Sequence, residues 1–243
     1  MEQGLYTAAA GAKAMEERLA AISANVANIS TNGYKKDGVV FEQYLRQLDT
    51  GNLAEGEYRR IPTDVVARQA FIDTSQGPIV QTGNPLDLAL REDGFFALQT
   101  PDGVRYTRNG SFMRSNEGIL TSATGYPVLG QGGQINLGQG EVIVGRDGTI
   151  SVDGQNVDTL QIFAIQPNEL VRAGDGLYAS AGTATPLAAN QVEQGVLEGS
   201  NAQAVPEMLN LISTQRSYES LQKVMRSYAD INSLSIRNIG AMA

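Results

Sequence analysis

The sequence predicts a mixed α and β fold: N- and C-terminal helices that pair as a coiled coil, with an inserted all-β domain and extended connectors. Three observations predict it. The opening segment carries an unbroken heptad of apolar positions, the closing segment carries a second, and the middle of the 243-residue chain is dense in glycine and turn dipeptides.

The first helix rests on Leu5, Ala8, Ala12, Met15, Leu19, Ile22, Val26 and Ile29, spaced 3, 4, 3, 4, 3, 4, 3. That is the narrow seam of a coiled coil rather than the wider stripe of a core helix. A helix is expected from about Gly4 to Asn28, roughly 35 Å long at 1.5 Å per residue. Ser30, Thr31, Asn32 and Gly33 should end it, Gly33 being suited to a left-handed conformation. Residues 1–33 are assigned to this element.

The C-terminal helix, within residues 206–243, should begin at Pro206, since a proline fits a helix's first turn. It should run without Gly or further Pro to about Ile239, and Gly240 should close it. Leu211, Tyr218, Leu221, Met225, Tyr228 and Ile239 share one heptad stripe. Thr214, Asn232 and Ser235 occupy its weaker positions, and Val224 and Ile231 widen the face. Ordering each residue costs roughly 1–2 kcal/mol of backbone entropy, whereas only every third or fourth residue of the first helix is apolar. Neither seam can be satisfied in isolation, and a pair of such helices in one chain points to packing between molecules.

Residues 76–185 are expected to form the β-rich domain. Short apolar runs such as Leu86 to Leu90 and Gly94 to Leu98 alternate with Asp102-Gly103, Asn109-Gly110, Asp147-Gly148 and Asp153-Gly154 turn signals. Residues 34–75 and 186–205 show neither period and read as extended connectors.

Composition narrows the function. With 18 basic and 26 acidic residues the chain carries −8, which disfavours nucleic acid and anionic membrane as partners. Having no Cys and no His, it cannot build a thiolate zinc site, a Cys nucleophile or a Ser-His-Asp triad. Asp147-Gly148 and Asp153-Gly154 lack the repeated ligands and closing Glu of a calcium loop. Gly130-Gln131-Gly132-Gly133 and Gly138-Gln139-Gly140 lack the Lys-Ser/Thr and following helix of a phosphate loop. Asp87, Asp93 and Asp102 are the carboxylates nearest to a hydrolase pair, but they fall in turns and strand ends with no His to support them. No catalytic, cofactor-binding or metal site is expected, and no small-molecule substrate. Glu2, Lys13, Glu16, Glu17 and Arg18 interrupt the opening segment where a secretory signal would be uniformly apolar, so an exported form should keep this end intact.

Three sequence blocks carry a family resemblance. Ala10-Gly11-Ala12 with Ile22 through Lys36, including Asn25, Asn28, Thr31, Gly33 and Tyr34, resembles the N-terminal signature of flagellar rod, hook and hook-associated proteins. Gly83 through Leu90 followed by Gly94-Phe95-Phe96, then Tyr106 to Phe112 and Gly125 to Gly130, is similar to that family's β domain. Gly195 to Asn201, with Glu207-Met208 and Gln215 to Glu219, is similar to its C-terminal helix and lead-in. Within the family, Leu5-Tyr6-Thr7-Ala8 and Leu86-Asp87-Leu88-Ala89-Leu90 look more like the proximal-rod (FlgF) type than the distal-rod (FlgG) type, which remains the alternative. The resemblance implies a non-enzymatic subunit of the basal-body rod in the periplasm. Its partners would be copies of itself, other rod proteins and the flagellar export apparatus, and its helices would line a torque-bearing tube. The competing reading is a secreted carbohydrate-binding β protein with helical tails, for which 6% aromatics and no Trp are a poor basis.

Overall fold

The computed structural model describes residues 2–47, 60–187 and 191–240, and the side chains of 2, 3, 40–47, 60–70, 232 and 235–240 lie outside that description. The predicted seam positions Asn232, Ser235 and Ile239 are among the latter. Mixed α and β is the observed class. The chain divides into two compact units: Met1–Val26, Asp37–Phe71 and Ala204–Ala243 form the first, Ala27–Lys36 and Ile72–Gln203 the second.

The first unit contains helices α1 (Glu2–Ala27) and α2 (Ala204–Gly240) and strands β1 (Asp37–Gln47) and β2 (Arg60–Ile72), which pair as a two-stranded ribbon. The ribbon lies within residues 34–75, the stretch expected to be an extended connector. Helix α1 is alanine-rich, which costs little side-chain entropy, and it stops at Ala27, so the seam residue Ile29 falls in the turn beyond its end. Helix α2 starts two residues before Pro206, placing the proline in the first turn, where no amide partner is required. Glu207 in the same turn complements the helix dipole.

Two glycines fix the direction of the helices. A Cβ on Gly4 would stand 2.7 Å from the Tyr228 hydroxyl oxygen, and one on Gly11 would stand 3.4 Å from Leu221 Cδ1. One heptad forward on α1 is one heptad back on α2, so the helices run antiparallel. Ala8, Ala12, Ala14 and Ile22 are buried, as are Glu207 and Thr214 on α2. Leu5, Met15, Leu19 and Val26, with Leu211, Tyr218, Leu221, Met225 and Tyr228, are half-buried.

Helix α2 has a second apolar face. Val205, Met208, Leu209 and Ile212 are 69%, 51%, 63% and 49% exposed. At 100° per residue, this group lies roughly 140° around the helix from Glu207, Leu211 and Thr214.

The second unit holds the remaining strands. They are β3 (Ile79–Gln81), β4 (Leu88–Leu90), β5 (Phe95–Thr100), β6 (Gly103–Thr107), β7 (Phe112–Arg114), β8 (Leu120–Ser122), β9 (Leu129–Gly130), β10 (Gly133–Gln134) and β11 (Val142–Val144). After them come β12 (Thr149–Val152), β13 (Gln155–Thr159), β14 (Ile162–Ala164), β15 (Leu170–Gly174), β16 (Leu177–Ser180), β17 (Thr185–Pro186), β18 (Val192–Gln194) and β19 (Val196–Glu198). The largest sheet orders as β15-β16-β6-β5-β14-β17 and a second as β11-β12-β13, with β18-β4, β19-β3, β7-β8 and β9-β10 as pairs. Strands β18 and β19 come from the returning stretch assigned to a connector, yet they pair with β4 and β3 and belong to this unit.

Turn chemistry explains several reversals. Asp153 and Gly154 both have positive φ, 50° and 79°, the conformation that a two-residue hairpin requires. Asn109-Gly110, read as a turn signal, has another role: a side chain at Gly110 would run into the Leu88 carbonyl, to whose residue the Gly110 oxygen is hydrogen-bonded.

Consecutive residues of β5 serve two cores because strand side chains alternate. Phe96 packs edge-on against Phe112 at 5.1 Å among Leu88, Leu98, Leu120, Ile135 and Ile150, while Phe95 packs against Tyr178 at 5.5 Å with Ile72, Ile165 and Leu170. Full burial of a Phe contributes about 1.5–3 kcal/mol, so this one strand anchors both faces.

Candidate functional site

The residues of the N-terminal motif act as joints. The Asn25 side chain, 1% exposed, donates to the Asp37 carbonyl at 2.9 Å and accepts from the Asp37 amide at 2.8 Å. A carboxamide can do this because it presents a donor and an acceptor side by side, as a strand backbone does. The Asn28 side chain accepts from the Thr31 hydroxyl at 3.1 Å and its carbonyl from the Thr31 amide at 3.1 Å, closing the turn after α1. Gly33 takes φ +67° with the Arg108–Asn109 backbone pressed against it, and its amide donates to the Glu198 carbonyl at 2.7 Å. Tyr34 is buried, with the Arg172 guanidinium 4.5 Å over its ring.

Immediately beyond lies a buried ion cluster that the sequence reading quoted within its motifs without assigning it a role. Lys35 Nζ meets Glu198 Oε1 at 2.7 Å, and Arg108 Nε meets Glu198 Oε2 at 2.8 Å, all three side chains being 1–2% exposed. Lys35 Nζ also donates to the Ser75 carbonyl at 2.6 Å, and Glu198 Oε1 accepts from the Gly77 amide at 2.9 Å. Arg108 Nη1 donates to the Gly94 carbonyl at 2.6 Å. Burial holds the Lys35 ammonium below its ordinary pKa, with attraction to Glu198 offsetting part of that effect. Such a cluster is tolerable because every charge is both paired and hydrogen-bonded.

A polar shell continues the ties. The Lys36 amide donates to Asn201 Oδ1 at 2.7 Å, Asn201 Nδ2 donates to the Asp73 carbonyl at 2.8 Å, and the Asp73 amide donates to the Lys36 carbonyl at 3.0 Å. The Asn201 amide donates to the Tyr34 carbonyl at 3.2 Å.

The carboxylates considered for hydrolysis do other work. Asp87 is buried and accepts from the Asn84 side chain at 3.0 Å, while Asp93 and Asp102 are exposed. Among the described residues no group of three or more His, Cys, Asp or Glu is placed to hold a metal ion. A cleft of about 450 Å³ is bordered by Arg91, Arg146 and Glu193. There Arg91 Nε meets Glu193 Oε2 at 2.6 Å, an exposed pair that draws the Glu193 carboxyl below its ordinary value. No described helix is long and apolar enough to cross a membrane.

Known families match along the chain. "Flagella basal body rod protein" matches residues 5–35, "Flagellar hook protein FlgE/F/G D1 domain" residues 89–152, and "Flagellar basal body rod FlgEFG protein C-terminal" residues 193–237. The chain is 32% identical over 248 residues to the flagellar basal-body rod protein FlgF of Mesorhizobium japonicum, covering 99% of each. It is 34% identical to FlgF of Salmonella typhimurium, covering 93% of this chain and 94% of that one. To FlgG of Bacillus subtilis it is 31% identical, covering 95% and 97%. The N-terminal match ends on Lys35, and the C-terminal match takes in Glu198 and α2 as far as Arg237. On these full-length similarities, the chain belongs to the family of flagellar basal-body rod proteins.

Proposed function

We propose that this chain is a structural subunit of the flagellar basal-body rod, of the proximal-rod (FlgF) type. It joins copies of itself and other rod proteins into a helical tube and catalyses nothing. The observation that carries the proposal is the second apolar face of α2. Val205, Met208, Leu209 and Ile212 are large, contiguous at i, i+3, i+4 and i+7, and solvent-facing in the isolated chain, a pattern that calls for another protein surface. The α1–α2 pair packs as an antiparallel coiled coil through the predicted seam, leaving the outer face of α2 for assembly. Contacts repeated between unlike faces generate an open helical array, and close-packed interiors resist compression, as a shaft under torque requires. Membership of the family supports export through the flagellar secretion apparatus.

Electron microscopy of the concentrated protein tests the reading. Tubes or filaments are expected from the wild type and none from Leu209→Asp, which puts a charge into the apolar contact. A wild-type chain that stays monomeric at all concentrations, even with other rod proteins added, would refute it. Restoration of motility in a strain lacking FlgF, but not in one lacking FlgG, separates proximal from distal placement.

A further inference from the structure

We infer that the Lys35–Glu198–Arg108 cluster is a mechanical clasp that carries tension between the two terminal segments and spares the β-structure of the second unit. The inference rests on connectivity and holds whatever the subunit assembles with.

The chain passes between the two units after Val26, Lys36, Phe71 and Gln203. Three of those passages lie within a few residues of the clasp, and inside the second unit their flanking stretches are tied to one another. Residues 33–36 are held to 198–201 by the Lys35–Glu198 ion pair, by Gly33 amide to Glu198 carbonyl, by Asn201 amide to Tyr34 carbonyl, and by Lys36 amide to Asn201 Oδ1. Residues 73–77 join the same knot through the Lys35–Ser75, Gly77–Glu198 and Asn201–Asp73 hydrogen bonds.

Tension entering at Lys36 and leaving at Asn201 therefore crosses directly from one stretch to the other. It does not have to pass along the chain through the sheets of residues 79–198. Without the knot, the same tension would peel β19 from β3 and β18 from β4 one hydrogen bond at a time. In the clasp the bonds are loaded together, and the charges within it are shielded from water, which would otherwise compete for each of them. Arg108 is the third member because it holds the second Glu198 oxygen and anchors it to the Gly94 carbonyl beside β5, so the knot cannot slide as a unit.

Single-molecule force spectroscopy tests this. The chain has no Cys, so Ser23→Cys and Ser213→Cys, both at exposed helical positions, give unique attachment points for handles. Under constant force the wild type should show one long-lived state whose rupture releases the segment between Lys36 and Asn201 as a single long step. Glu198→Gln should shorten that lifetime about tenfold or more, and break the step into smaller ones. Should Glu198→Gln fold poorly, the triple variant Lys35→Met, Arg108→Met, Glu198→Leu decides. Replacing a buried ion cluster by apolar side chains commonly preserves equilibrium stability, so the triple variant should keep its melting temperature and still lose the long-lived state. Arg91→Ala, which removes the exposed pair with Glu193, should leave the lifetime unchanged. A wild-type lifetime in the triple variant, or an equal loss in Arg91→Ala, would overturn the inference.

Discussion

Tyr228 roofs Gly4: a Cβ on that glycine would stand 2.7 Å from the phenolic oxygen, whereas one heptad away a Cβ on Gly11 would meet Leu221 at an ordinary 3.4 Å. The same residue type thus has two different reasons for its place. Gly11→Ala should stabilise the helices by about 1 kcal/mol, since it removes glycine's excess entropy and adds a contact. Gly4→Ala should gain less, because Tyr228 must rotate aside. Thermal melts followed by far-UV circular dichroism would rank the two variants.

Thr214 is buried on α2 at 2% exposure, and its hydroxyl has no hydrogen-bond partner among the described residues. A buried, unsatisfied hydroxyl costs about 1–3 kcal/mol. Thr214→Val keeps the shape and removes that cost, so a gain of roughly 1 kcal/mol in urea denaturation is expected. Thr214→Ser, which keeps the hydroxyl and loses the methyl, should be destabilising.

Gly33 and Gly83 share a left-handed backbone, φ +67° and +76°, but only Gly33 has backbone atoms crowded against the position of its missing Cβ. Gly83→Ala should cost only the conformational strain, about 1–2 kcal/mol. Gly33→Ala must also displace the Arg108–Asn109 backbone and with it Arg108 from Glu198, and is expected to cost several times more. Soluble yield and chemical denaturation of the pair would show the difference.

Asp73 provides a pH signature. Burial raises its pKa, but the Ser75 hydroxyl and amide and the Lys36 ammonium at 3.4 Å together bring it below 3.8. A carboxyl whose folded pKa is depressed contributes stability that is fully present above its unfolded value and is lost as pH falls through the folded one. The stability difference between wild type and Asp73→Asn should therefore be constant near neutrality and shrink below pH about 3.8. A difference that widened with acid would contradict this sign.

The helices were legible because a heptad is a local signal: Leu5 to Val26 declare it within one segment. The β class was legible from its turns, Asp153-Gly154 above all. The β1–β2 ribbon was not, since Pro62 lies inside β2 and neither strand alternates cleanly, so nothing local separates it from a loose connector. The clasp was less visible still. Lys35 and Glu198 are 163 residues apart, and a charged residue near a turn ordinarily reads as solvated. One available signal was their setting: Lys35 directly follows the buried-type Tyr34, and Glu198 follows Val196-Leu197 before Gly199, an unusual company for surface charges. Long-range pairing of this kind becomes apparent only when the fold brings the partners together.

The ties of Asn201 to Asp73 and Lys36 also bear on modularity. The stretch from Asp73 to Asn201 starts and finishes at adjacent points, 2.8 Å apart at the hydrogen bond that joins them. A segment with neighbouring ends can be enlarged, trimmed or exchanged without altering the spacing of its attachment points. The stretch between Asp73 and Asn201 and the segments that flank it can therefore change in size independently, and a foreign domain whose termini lie side by side could be grafted between those two residues as cargo.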